Sequence, residues 1–412
     1  MTTIDKKTYD VIIIGAGASG LFCAVKIKQI NPSLSVAIIE KQKTAGKKLL
    51  ATGNGRCNLT NLNALKEMYH GSFSAFIDNT LALLSPEKLL KEFGNMGLLT
   101  TSDSEGRVYP LSKHSASVLN VLLLNCNNNG VDIITETFVK NITQNKSKFI
   151  VSSDSDEYIC DKLVIATGSK ATPETGADDS MLATLLSLGH TKTELFPALC
   201  PVLVNSKLLF NLKGVRVQGK VSITCKDKIL KSEYGEIQFT EKALSGICLF
   251  NLARIANSTD NTKISIDLLP SMEDNEVLEL LLQYKKRLSS DSLSEDLMCG
   301  IFQNKLSNAL LKSISVGKDT PISNLSNEKL RLLAKTIKHW EFDVKKSVDF
   351  TRAQVVAGGI NAREINTNSM ESKLIKNMYI VGEIVDCDGD CGGLNLHFAF
   401  ASAYCAAKNI AK

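Results

Sequence analysis

Three glycines, an acid twenty residues beyond them and a β-branched run ahead of them are the residues whose types and spacing most directly imply chemistry in this chain. The segment YDVIIIGAGASGLFCAVKIKQI has a continuously apolar stretch, then Gly15-Ala16-Gly17-Ala18-Ser19-Gly20, then Leu21, Val25 and Ile27 at helical spacing. That order reads as strand, tight turn and helix. The glycines serve different purposes. Gly15 permits the turn, Gly17 lets a pyrophosphate approach the backbone, and Gly20 allows the helix to pack close to the strand. The amides and dipole at the helix start favour the negative charge. A second buried-type strand, SVAIIE, ends at Glu40, with Lys41 next to it. There a carboxylate accepts hydrogen bonds from an adenosine ribose. The chemistry implied is the holding of a dinucleotide.

Two later stretches choose between dinucleotides. DKLVIATGS is a hydrophobic strand that stops at Ala166-Thr167-Gly168, and NMYIVGEIVDCDGDCGGLNLHFAFASAYCAAKNIA is a strand ending at Gly382-Glu383, followed by a glycine turn and a helix. In this chain order they point to FAD. The late acid meets the ribityl and pyrophosphate region, and the last helix aims its N-terminus at the flavin pyrimidine ring, where negative charge builds up on reduction. No second Gly-x-Gly-x-x-Gly lies between them, so NAD(P)H is expected only as a transient hydride donor and not as the tenant of a dedicated domain.

The elements that must position these residues are legible in outline. A chain of 412 residues, 44% hydrophobic and 22% charged, is globular and long enough for two or three domains. Residues 112–129 read as a helix, and 131 to about 160 as short strands of a β-meander. From residue 191 to about 271 the pattern alternates, as an antiparallel sheet does, and from 272 to 339 it is helical, with Ser and Asn caps. EFDVKKSVDF returns to strand character. The expected architecture is α/β: a doubly wound FAD-binding domain of residues 1–190 and 351–412, interrupted by an antiparallel β part (191–271 and 340–350) and a helical part (272–339).

Bulk properties exclude several classes of function. The net charge of +5 is spread thinly and forms no run of like charges, which makes no case for a membrane surface and little for nucleic acid, although an RNA partner stays open. Eleven cysteines at scattered spacings suit a reducing compartment, and no apolar run reaches the length of a membrane span. The expectation is a cytoplasmic protein acting on a small molecule, with its oligomeric state open.

The stretches GKKLLATGNGRCNLTN (46–61), GRVYPLSKHSASVL (106–119), FTEKALSG (239–246), AQVVAGGI (353–360) and TNSMESKLIKNMYIVGEIVDCDGDCGGLNLHFAFASAY resemble the BaiN/YhiN-like NAD(P)/FAD-dependent oxidoreductases, also labelled aminoacetone oxidase family FAD-binding enzymes. The match runs nearly end to end. It implies a FAD-binding domain split by an insertion with a β-barrel-like part and a helical part. It also implies that the first loop wraps the flavin, with Thr52, Gly53, Gly55, Arg56, Cys57 and Asn58 between pyrophosphate and ring. Val139 falls where such folds place a backbone contact to adenine. Gly359 and the run Gly392, Gly393, Leu394, Asn395, Leu396 are expected close to the flavin.

Candidates for chemistry are Arg56, Cys57, His114 and His397. Arg56 offers positive charge, or an ion pair in an irregular loop. Cys57 has no second thiol at short spacing, which favours a packed or flavin-facing thiol over a redox pair. His114 lies in YPLSKHSAS and His397 on the last helix, while His70, His190 and His339 look like loop or surface residues. Cys387 and Cys391 are spaced to pair beside the flavin. Asp386, Asp388 and Asp390 alternate like the start of a calcium loop but lack the rest of it, so no metal is expected. The expected function is a FAD-dependent oxidoreductase passing a hydride between flavin and a small organic substrate, with NAD(P)H or dioxygen as the other partner. The alternative is a flavin-containing RNA-associated protein, of the kind that modifies tRNA, or a redox sensor.

Overall fold

The apolar run before the first glycine becomes strand β1 (Asp5–Ile14), whose residues Val11 to Ile14 are buried, in a computed structural model that describes residues 5–412. The turn leads into α1 (Ala18–Ile30), buried from Ser19 to Ile27, and on to β2 (Val36–Ile39), buried at all four positions. Strands covered on both faces read as continuous apolar runs, and these pair in parallel. Further along come α2 (Lys47–Ala51), α3 (Ser115–Asn128), β3 (Asp132–Ile134), β4 (Asn141–Asn145), β5 (Lys148–Ser152) and β6 (Asp156–Ile165). Near the end of the chain are β7 (Met378–Ile380) and α4 (Leu394–Ile410).

The parallel strands lie in the order β3, β2, β1, β6, β7. β6 does two jobs. Its residues Glu157 to Cys160 pair antiparallel with β5, which pairs with β4, and its last three residues pair in parallel with β7. The sequence pattern places VDIIT in the meander; the structure moves it to the main sheet, where Asp132–Ile134 pair with Ala37–Ile39. On one face α1 and α4 meet through Phe22 and Phe400, with ring centroids 5.2 Å apart and Phe93 5.0 Å from Phe400.

The chain divides into two compact units, residues up to Phe196 with Phe350–Lys412, and Pro197–Asp349. The second unit contains both the strands and the helices that the sequence pattern set apart as two inserts. Its antiparallel strands follow the order 202–203, 243–245, 228–239, 216–225, 262–267 and 340–343. The first and last meet: Asn205 donates its amide to Asp343 O at 2.9 Å and Lys345 to Leu203 O at 2.9 Å, so the sheet curls closed as a barrel-like sheet does. Helices Asp274–Arg287, Asn304–Ser313 and Asn327–Lys338 follow the helical pattern. A further helix, Ile247–Ser258, stands where alternation was expected to continue. Cys248, Leu249, Leu252, Ala253 and Ala256 are buried on one stripe, which only a helical period produces. Among the described residues no helix is long and apolar enough to cross a membrane.

Candidate functional site

A cleft opens at the carboxyl ends of β1, β2 and β6, the place where doubly wound sheets receive ligands. It encloses about 1350 Å³ of empty space, its open mouth included. Its lining runs from the glycine turn after β1 to the start of α4, an extent that suits an elongated ligand.

The glycine turn at its base separates into three physical cases. Gly15 has φ +105°, and a Cβ there would lie 2.6 Å from Ala166 O. A Cβ on Gly20 would lie 1.9 Å from Gly15 O, so this glycine serves the packing of α1 on the turn. Gly17 is different. It precedes α1 with φ −83°, which any residue adopts, and a Cβ would meet nothing within 4 Å. Neither backbone conformation nor a protein neighbour calls for glycine at 17, whereas a ligand backed onto the turn would. α1 carries no acidic residue in its first turn and no side-chain cap, which leaves its N-terminal amides to a ligand.

Glu40 lines the cleft with one oxygen on the Ala16 amide and the other on the Gln42 amide, both at 2.8 Å. Its neighbour Lys41 is ion-paired with Asp178. Burial would push the Asp178 carboxyl up, but bonds from Lys41 and Ser180 hold it below the ordinary value. On the opposite wall Glu383 is the hub. One oxygen takes the Lys48 ammonium at 2.7 Å; the other accepts from Ser169 Oγ at 2.6 Å and the Val356 amide at 3.1 Å.

The start of α4 also reaches the cleft, through Asn395 and Leu396. Its N-cap, Gly393, has φ +101°, and a Cβ there would lie 2.6 Å from Asn58 Oδ1 and from Thr60 O. Asn395 grips Gly389, accepting its amide at 2.9 Å and donating to its carbonyl at 2.8 Å. Asn58 Oδ1 is buried with no hydrogen-bond partner. An open cradle at Gly17 and two helix starts without acids in their first turns fit a dinucleotide.

Of the expected site residues, Gly15, Ala16, Gly17, Ala18, Ser19, Glu40, Lys41, Thr52, Val139, Ala166, Thr167, Gly168, Glu383, Asn395 and Leu396 line this cleft. Others stand behind it. Gly382 backs onto Ser19 and Gly359 onto the backbone at Ile384 and Asp386, each as a close-approach glycine. Gly392, Gly393 and Leu394 form the entry to α4 without reaching the lining. Of the loop residues expected around the flavin only Thr52 lines the cleft, although the loop also reaches it through Gly46, Lys47 and Lys48. Gly53, Gly55, Asn58 and Arg56 lie outside it, and Arg56 is exposed, its guanidinium 5.6 Å from the Tyr109 ring centroid. The residues missed include Lys48, Gln42, Thr44, Ser169, Asp178 and Phe398. Lys48 stands in the quoted GKKLL, but nothing local marks it, since its partner is 335 positions away.

None of the chemical candidates Arg56, Cys57, His114 and His397 lines the cleft. Cys57 is 0% exposed, and burial pushes its thiol up to about 12 against a smaller pull from Thr52. His114 is exposed ahead of α3. His397 is 0% exposed, Nε2 2.8 Å from Leu84 O and Nδ1 2.7 Å from Thr60 Oγ1. Burial lowers its pKa, more than Leu84 O and Glu87 raise it. The neutral ring therefore donates from Nε2 to the carbonyl and accepts the Thr60 hydroxyl at Nδ1. His190, expected in a loop or at the surface, lies in a loop but is buried between Glu364 Oε2 and Ser372 Oγ, both at 3.0 Å. That is the atom pattern of a nucleophile triad, yet Ser372 Oγ already accepts the Leu374 and Ile375 amides at 3.1 and 3.0 Å. Cys387 lines the cleft and Cys391 does not.

The HI0933-like protein Rossmann domain model matches residues 9–409. The chain is 33% identical over 404 residues to the 3-dehydro-bile acid delta(4,6)-reductase of Clostridium scindens, covering 97% of this chain and 98% of that protein. It is 26% identical over 407 residues to the ribosomal RNA dihydrouridine synthase of Haemophilus influenzae, covering 97% and 98%. A solved quinol-fumarate reductase with menaquinol molecules has a TM-score of 0.51 at 14% identity, covering 99% of this chain and 71% of that one, a likeness of fold.

Proposed function

The chain belongs to the HI0933-like Rossmann domain family, and from that membership we propose that it is a FAD-dependent reductase of carbon–carbon double bonds conjugated to a carbonyl. The observation that carries the cofactor is Gly17, a glycine with no reason in its own backbone or neighbours, set at the start of an uncapped helix and facing the cleft. In this reading the pyrophosphate lies across Gly17 and the α1 amides, the ribose on Glu40, the adenine near Val139, the ribityl chain near Glu383 and the ring at the start of α4. Lys48 offsets the charge of Glu383 beside a diphosphate. Leu396, Phe398 and Ala399 give the ring end an apolar lining that excludes water. When bound and reduced by NAD(P)H, FAD would supply the hydride to the double bond, and dioxygen would compete for it as an acceptor.

The substrate class comes from what two relatives' names share. A 3-dehydro bile acid with Δ4,6 unsaturation and a uridine on its way to dihydrouridine both carry a double bond conjugated to a carbonyl, and both lose it by reduction. The more similar relative acts on the small molecule, so the small-molecule reading comes first and the RNA reading second.

The test is anaerobic. The purified protein should be yellow, and NADH or NADPH should bleach its flavin band; a 3-oxo-4-ene steroid should then restore the band. Restoration by uridine-containing RNA alone would favour the second reading. A colourless protein that takes up no FAD would overturn the proposal.

A further inference from the structure

We propose that Lys41 and Asp178 form a latch across the adenosine end of the cleft, which must open for the dinucleotide to enter or leave; this rests on the FAD reading above. Both side chains line the cleft, and they remain 26% and 44% exposed, which puts their ion pair at its solvent edge. They come from two segments far apart in the chain. Lys41 follows Glu40 at the end of β2, and Asp178 belongs to a strap of residues 173–179 that crosses from the end of β6 to the helix Ser180–Ser187.

The strap is fixed at both ends and held lightly between them. Before it, Thr172 Oγ1 donates to Ala353 O at 2.9 Å; after it, the helix buries Met181, Leu182 and Leu185. No residue from 173 to 180 is buried. Its centre rests on Gln42 at Gly176, where φ is +90° and a Cβ would come 2.5 Å from the Gln42 amide. Beyond that seat, the Lys41–Asp178 pair is the polar tie from the strap to the β2 side. A segment with little buried surface opens at low cost, so the pair sets how often it does. Gln42 and Glu40 are themselves joined at 2.8 Å, which couples the seat of the strap to the carboxylate assigned to the ribose. Lys41, expected as a direct cofactor contact, thereby becomes a residue that retains the cofactor by closing over it.

The experiment follows release of FAD from the loaded, full-length protein by the fluorescence gained on dissociation. Asp178→Asn and Lys41→Met should each release FAD about two- to fivefold faster, the range that an exposed ion pair supports. The reversed pair, Lys41→Asp with Asp178→Lys, should return the rate towards wild type, which mere local damage would not do. High salt should speed release from the wild type more than from Asp178→Asn. Equal release from wild type and both single variants, with no effect of salt, overturns the latch alone. A chain that retains no FAD in any form overturns the parent reading and the latch together.

Discussion

Lys48 and Glu383, 335 positions apart, meet at 2.7 Å in the cleft wall, with their side chains 28% and 19% exposed. The pair joins helix α2 to the end of β7, and Glu383 extends it to Ser169 and Val356. Three other chain segments therefore converge on one carboxylate beside the proposed ribityl chain.

Removing the cation should matter more than removing the anion. Lys48→Met leaves a half-buried carboxylate uncompensated beside an incoming diphosphate, and FAD affinity should fall about tenfold or more. Glu383→Gln keeps hydrogen bonding to Ser169 and leaves Lys48 to the diphosphate, so its loss should be smaller. Titration of apoprotein with FAD ranks the two, and the reverse ranking would remove Lys48 from the binding role.

The glycines at 17 and 20 should fail in different ways. Gly17→Val meets no protein atom and needs no unusual backbone, so the variant should fold with an unchanged melting temperature and bind no FAD. Gly20→Ala drives a methyl to 1.9 Å from Gly15 O and should instead lower the melting temperature or abolish soluble expression. Full flavin occupancy in Gly17→Val would displace the pyrophosphate from this turn.

His397 should make stability pH-dependent in one direction. Its folded pKa lies below the ordinary value of 6.5, so the unfolded chain binds the extra proton first. The contribution is complete above pH 6.5 and is lost as pH falls below it, by up to about 1.4 kcal/mol per pH unit until the folded pKa is reached. The stability gap between wild type and His397→Gln, measured by denaturant at several pH values, should narrow from pH 7 to pH 5. A constant gap would mean that the ring is not held neutral.

Cys57 should be inert. A thiol that is 0% exposed and pushed up to about 12 carries almost no thiolate at neutral pH. Brief iodoacetamide treatment of native protein should label exposed Cys299 and spare Cys57, as peptide mass spectrometry would report. Rapid labelling of Cys57 would restore it as a chemical candidate.

What the sequence alone determined is local. Gly15, Gly17, Gly20 and Glu40 lie within one strand–turn–helix–strand unit, so backbone sterics and spacing were enough to put Gly15, Gly17 and Glu40 in the cleft lining and Gly20 in the packing behind it. The order of the β6 and β7 signals likewise implied strands that end beside it. Tertiary structure decided the rest, because it depended on partners remote in sequence. Arg56 was attractive as a charge in a glycine-rich loop, yet the fold turns it outward to Tyr109 and uses Lys48, eight residues earlier, on Glu383. His397 had the right residue type on the right helix, but Thr60 and Leu84 take both of its nitrogens. Helix Ile247–Ser258 was hidden because its apolar stripe runs on from the alternation of neighbouring strands. The Lys41–Asp178 pair follows from where the strap folds. A side chain's type and period follow from its own segment, whereas its partner is chosen by packing between segments that are distant in sequence.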